Sequence, residues 1–388
     1  MKSSVKISEK IRYIGVNDFK KKMFENHWPL YEGVTYNSYL VVDEKIALID
    51  TAAAEFKNEF FENICAEIGE RPIDYLIVNH MEPDHSALMS DIRSKYPDIQ
   101  IVANSRALPM IEGYHGITNN ILVVKEDDEL NLGVCSLIFK MIPMVHWPET
   151  MVTWLDEEKT LFSGDAFGSF KAVEDPMNSA YSDYEEEMIR YYSNIVGKYG
   201  QQVQNALKKL SGLEIKRICS THGPIWTDEA GKVVALYDKM SRYETEPGVC
   251  LVYASMYGNT EKAALAVRDE LLKRGVKCAL HNLNEENVSF AYRDVFKYDT
   301  VVVGAPTYNG NIFPIVETFM QGISQRQIKN HRFAAFGSYT WAPASVKLMN
   351  AIASESGFAL VSEGVSFSQG LSNEKFGVEN FVSELTKR

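Results

Sequence analysis

The chain has no tract of about 18 consecutive apolar residues, so no membrane-spanning helix is expected. Its first residues, MKSSVKISEKIRYIGV, lack the apolar core of a secretory leader, and none is expected. Cysteine is scarce: five in 388 residues, at Cys65, Cys135, Cys219, Cys250 and Cys278, without a C-x-x-C. Odd in number and widely scattered, they argue against a disulfide framework, an iron–sulfur cluster or a rubredoxin-like module, and for a reducing cytoplasm. Positive charge is short as well, 40 Lys and Arg against 52 Asp and Glu, which disfavours nucleic acid as a partner. Neither internal repeats nor low-complexity segments occur.

What is present is ordinary globular material, 45% apolar and 24% charged. The length suggests two domains or a little more. Charge divides unevenly. From Val249 onward 14 basic residues meet 13 acidic ones, whereas the part before it holds 26 against 39. Such an acidic surface serves either solubility or the docking of a partner. A boundary is expected near Glu246-Pro247-Gly248, giving domains 1–247 and 248–388. A helical stretch, 229–243, precedes it, and an apolar strand from Val249 follows.

In the first part, strands are expected over 38–49, 75–79, 99–103, 137–145, 151–156, 160–163 and 217–220. Four of them run at once into a metal-ligating residue type: His80, His146, Asp165 and His222. Polar residues at the ends of core strands are how a sheet converges side chains on one point. The densest signal is His80-Met81-Glu82-Pro83-Asp84-His85, four potential ligands in six residues. The spacing lets one loop grip two ions. The remaining histidines, His27, His115, His281 and His331, stand outside this pattern.

This constellation resembles the metallo-β-lactamase superfamily, whose loop reads H-x-H-x-D-H, over roughly residues 11–243. One departure is informative. Position 82 is Glu rather than His. Exchanging imidazole for carboxylate oxygen makes a site harder, favouring iron over zinc. The variant H-x-E-x-D-H resembles the flavodiiron proteins, as does His146-Trp147-Pro148-Glu149-Thr150-Met151. That resemblance implies one iron on His80, Glu82 and His146, a second on Asp84, His85 and His222, and Asp165 bridging with a solvent-derived oxygen. It also implies His27 beside the metals and Trp147 near the site, facing a flavin or packing in the core. Tyr191 or Tyr192 is a further candidate for the substrate pocket.

The second part alternates apolar strands with amphipathic helices, the pattern of a doubly wound parallel sheet. Ser255-Met256-Tyr257-Gly258-Asn259-Thr260 follows its first strand and opens a helix. Hydroxyls, backbone N–H groups and the helix dipole there suit a phosphate. The loop has no G-x-G-x-x-G and no P-loop Lys, and it resembles the flavodoxin loop for FMN. Two further loops sit at strand ends: Pro306-Thr307-Tyr308-Asn309-Gly310 and Ser338-Tyr339-Thr340-Trp341-Ala342. Their aromatic rings offer flat faces to an isoalloxazine.

The expected architecture is therefore α/β: a metallo-β-lactamase-like αββα sandwich followed by a flavodoxin-like doubly wound sheet. As a tandem it resembles the flavodiiron family over nearly the whole chain. That resemblance implies FMN passing electrons to an oxo- or hydroxo-bridged di-iron site that reduces dioxygen, nitric oxide or both. It implies a head-to-tail homodimer or dimer of dimers, and as donor a separate rubredoxin or a reduced deazaflavin coenzyme. The competing expectations are a zinc hydrolase with a flavodoxin-like appendage and a non-catalytic electron-transfer or gas-sensing module.

Overall fold

The computed structural model describes residues 4–177, 179–372 and 375–387. The chain forms two compact units, Met1–Tyr192 with Gln201–Asp238, and Ser193–Gly200 with Lys239–Arg388. The division falls after Asp238 rather than at 247, and Ser193–Gly200 joins the second unit. The strand that opens the second unit's sheet begins at Glu246, so Pro247 and Gly248 lie inside it and do not link domains. Among the described residues, no helix is long and apolar enough to cross a membrane.

The first unit holds two mixed sheets. One has seven strands in the spatial order Val5–Lys6, Ile11–Tyr13, Tyr39–Val42, Ile46–Ile49, Tyr75–Ile77, Gln100–Asn104 and Ile121–Val124. The other has five: Glu129–Asn131, Ser136–Met141, Met151–Leu155, Thr160–Gly164 and Arg217–Ser220. Alternate residues of both enter one core, where Ile49, Ile77 and Val102 meet Leu137, Phe139 and Phe162. This is a sandwich closed by inward-facing apolar side chains. The single strand expected over 38–49 is instead a hairpin, since Asp43 donates its N–H to Lys45 O at 3.1 Å and turns the chain.

The main sheet of the second unit runs in the order Cys278–Asn282, Glu246–Tyr253, Tyr298–Gly304, Arg332–Tyr339 and Ala359–Leu360, with Val365–Ser368 also on Arg332–Tyr339. All these pairings are parallel. Val249 to Tyr253 are buried without alternation, as a strand covered on both faces must be. Chain order 2-1-3-4-5 places the topological switch beside Glu246–Tyr253, where such sheets bind ligands. The sequence reading overlooked the helix Val288–Lys297, which Asn287 caps by accepting the Ser289 N–H at 2.9 Å. Two short strands, Ala359–Leu360 and Val365–Ser368, are separated by residues 361–364, where Gly364 takes a φ of +78°.

Candidate metal centre and flavin cleft

Six of the metal-ligand candidates lie just beyond strands of the two sheets in the first unit, and the seventh, His146, lies between two of them. His80 follows Tyr75–Ile77, and Pro83 starts a single helical turn that carries Asp84 and His85. Asp50 fixes the approach, accepting the N–H of Asn79 at 2.8 Å and of His80 at 3.4 Å. Asp165 follows Thr160–Gly164. Thr221 donates its N–H to Gly164 O at 3.0 Å, which sets His222 beside it.

These side chains form two groups. His80, Glu82, His146 and Asp165 make one, and Asp84, His85 and His222 the other, with ligand atoms mutually within 4.8 Å in each. Asp165 faces both. Its Oδ2 is 3.0 Å from His146 Nε2, and its Oδ1 is 2.9 Å from His85 Nε2. Burial opposes charge on the imidazoles, yet the carboxylates outweigh it: Asp84 and Asp165 push His85 up to about 9, and Asp165 and Glu82 do the same for His146. The pocket is thus electrostatically prepared for cations.

Whether metal fits can be asked of the atoms without partners. Among the described residues, His85 Nδ1 and Nε2, His222 Nε2 and Asp84 Oδ1 are buried without a well-formed hydrogen bond. Leaving such groups unsatisfied costs about 1–3 kcal/mol each, more when charged. Ligation satisfies the two Nε2 atoms and Asp84 Oδ1, and three carboxylates among seven donors suit a hard metal such as iron.

The expected neighbours divide. Trp147 is half-buried, its ring edge-on to His80 at 5.2 Å. Tyr191 is buried 5.7 Å from His222 by ring centroids, and its hydroxyl has no hydrogen-bond partner among the described residues. Tyr192 instead packs on Tyr237 at 5.0 Å. His27, expected beside the metals, is exposed, and its ring packs on Trp28. The reason is the turn between Met23–Phe24 and Trp28–Pro29. Glu25 and Asn26 both take positive φ, of 49° and 53°, which carries His27 outward. Glu25 is the residue that turns in. Although much of it is exposed at the tip, burial of its carboxyl and the nearby Glu82 push it up to about 7. The sequence around Glu25 has no metal-ligand spacing that would mark it.

In the second unit, a cleft of about 250 Å³ opens at the carboxyl ends of the strands. All three expected loops line it through Ser255, Met256, Tyr257 and Asn259, residues 306–310, and residues 338–342. Gln369, which sequence reading missed, completes it from the end of Val365–Ser368. Gly258 and Thr260 act from behind. Gly258, at φ +83°, precedes the helix Asn259–Lys273 and donates its N–H to Ser255 Oγ at 3.0 Å. Thr260 Oγ1 and Ser338 Oγ hydrogen-bond at 2.9 Å, joining the first loop to the third. Thr307 Oγ1 accepts the N–H of Ala344 and Ser345 at 3.1 and 3.2 Å, joining the second to the third. Tyr257 and Trp341 stand 87% and 86% exposed at the rim. A hydroxyl-rich helix start with open aromatic faces fits a phosphate-bearing planar ring.

Residues 34–223 match the family model described as ODP family beta lactamase, and residues 251–376 match that of flavodoxin. The chain is 30% identical over 364 residues to the anaerobic nitric oxide reductase flavorubredoxin of Pectobacterium atrosepticum, covering 92% of this chain and 72% of that protein. The rubredoxin oxygen:oxidoreductase of Desulfovibrio gigas superposes with a TM-score of 0.93 at 28% identity, over 99% of this chain and 100% of that one. The flavodiiron protein of Giardia intestinalis gives 0.93 at 26% identity, over 98% and 96%.

Proposed function

The chain belongs to the flavodiiron protein family, and from that membership we propose that it reduces dioxygen to water, nitric oxide to nitrous oxide, or both. It is a flavodiiron oxidoreductase whose cofactors are FMN and a pair of irons. When bound, FMN would supply electron carriage and the iron pair would supply gas binding and reduction. Dioxygen consumes four electrons and four protons to give two waters; two nitric oxides consume two of each to give nitrous oxide and one water.

Within this reading His80, Glu82 and His146 would hold one iron, and Asp84, His85 and His222 the other. Asp165 offers an oxygen to each group. Glu82, Asp84 and Asp165 offset the positive charge of the oxidised pair. Phe24 and Phe170 pack around Tyr191, and Phe24 and Tyr36 around His222, which keeps water from this side of the pocket. Tyr191 presents a buried hydroxyl that can give a hydrogen bond to the bound gas. In the cleft, Ser255 and Ser338 would hold the FMN phosphate, with Thr260 supporting Ser338 from behind, and Tyr308, Tyr339 and Trp341 would flank its ring. A separate rubredoxin supplies electrons, with a reduced deazaflavin coenzyme as the alternative donor. Two copies assemble head to tail, so that the flavin of one serves the metals of the other.

The observation that carries this reading is Glu82, a carboxylate among the metal-ligating side chains of a chain that also bears a flavin-sized cleft. A hydrolase needs no electron carrier. The test is anaerobic kinetics with each gas on chemically reduced protein, beside iron and FMN quantitation. The expected protein is coloured, holds FMN and two irons, and consumes at least one gas. A colourless chain with two zincs and no flavin would be a hydrolase.

A further inference from the structure

The ring nitrogen of a ligand histidine that faces away from the metal sets how strongly the other nitrogen donates. Here the histidines differ in that respect. His222 turns Nδ1 to the main-chain O of Thr35, a neutral acceptor, at 2.6 Å. His85 Nδ1 is buried with no hydrogen-bond partner among the described residues. His80 turns Nδ1 to a carboxylate, Glu149 Oε1, at 2.9 Å, while its Nε2 faces Glu82 and Asp165.

Glu149 is built into this position. It is 1% exposed, and the same Oε1 accepts the Met81 N–H at 3.0 Å. Its main-chain O accepts Asn104 Nδ2. Its second oxygen, Oε2, is buried with no hydrogen-bond partner among the described residues. A carboxylate with so few donors is costly to bury unless positive charge lies close by. A metal-bound imidazole supplies that charge, one atom chain away.

We propose that Glu149 is a positioning residue that makes the two irons unequal. It fixes His80 to bind through Nε2, and by drawing on the Nδ1–H it makes that imidazole the stronger donor. The iron on His80, Glu82 and His146 is then favoured in its ferric form relative to the iron on Asp84, His85 and His222. Each iron changes by one electron, supplied through the flavin, with no bond made or broken at Glu149. The two reductions therefore occur in separate steps. This inference rests on the di-iron reading above.

The test uses iron- and FMN-loaded full-length protein, comparing wild type with Glu149→Gln and Glu149→Asp. Iron per chain, the potentials of the two one-electron steps and iron loss to a chelator are measured. Gln is expected to keep both irons at first, bring the two steps closer, and release one iron about 10- to 100-fold more readily. Asp, which restores the charge, is expected to restore the separation. An unchanged separation in Gln, a shift of both steps together, or an Asp variant that behaves like Gln overturns the assignment. If the Gln chain does not fold, Asn104→Ala takes its place, because it frees the main chain of Glu149. The expected change is then the same in direction and smaller, and no change overturns the proposal. A wild-type protein that never holds two irons refutes the di-iron reading instead, so the two failures are distinct.

Discussion

At position 82 a carboxylate stands where the metallo-β-lactamase pattern has an imidazole, and its surroundings make the exchange consequential. Glu82 Oε2 lies 3.3 Å from His80 Nε2 and 3.1 Å from His146 Nε2, so it shares their metal position. Restoring imidazole with Glu82→His is expected to keep two metals but move the selection toward zinc. Metal analysis of protein produced with both metals available measures the ratio, and gas consumption should fall with the iron fraction. An unchanged iron content would show that position 82 does not choose the metal. His27 carries the opposite lesson. Its residue type suited the site, but two positive-φ residues before it turned it to solvent and brought Glu25 in.

Elements position these residues, and in the second unit one buried cluster holds two of them together. His281, on the strand Cys278–Asn282, donates from Nδ1 to Glu286 at 2.5 Å and from Nε2 to Asp294 at 2.8 Å, so its ring is an imidazolium clamp. Asp294 lies on the helix Val288–Lys297, and Arg293 also donates to it at 2.8 Å. Just after the same strand, Asn284 accepts the Ser255 N–H at 2.8 Å and so steadies the first flavin loop. Burial lowers the His281 pKa, but Asp294, Cys250 and Glu286 outweigh it and raise it to about 11. A raised folded-state value means the stabilisation is complete below the unfolded value of about 6.5 and is lost as pH rises toward 11. Unfolding of this unit should therefore become easier by at most about 1.4 kcal/mol per pH unit across that window. Thermal melts of wild type and His281→Gln between the two values check it: the variant should lose this slope. A slope shared by both proteins assigns the titration to another group.

For the whole molecule, the functional question is how electrons cross from the flavin cleft to the metal pocket, since each lies in its own compact unit. The head-to-tail homodimer proposed above would answer it by pairing one copy's cleft with the other's pocket. Charge substitutions that force a monomer are expected to leave FMN and iron in place and abolish turnover. Analytical ultracentrifugation beside cofactor quantitation and gas kinetics reads all three, and a fully active monomer removes the dimer from the mechanism.

The sequence by itself determined what depends on local pattern. Six residues from His80 to His85 set out the ligand types, the Glu at 82 set the metal class, and strand-then-loop punctuation exposed the three flavin loops. Apolar periodicity was enough for both sheet classes, because burial on one face or two leaves a direct mark on composition. Tertiary structure alone decided what depends on distant residues meeting. Glu149 reaches His80 across 69 positions, Thr35 meets His222 across 187, and Gln369 arrives at the cleft from the far end of the sheet. The Glu25 turn and the passage of Ser193–Gly200 into the second unit also have no pattern of their own. Such contacts are fixed by how packed layers bring strand ends together. Periodicity shows that a strand is buried, but it does not name which side chain stands behind another.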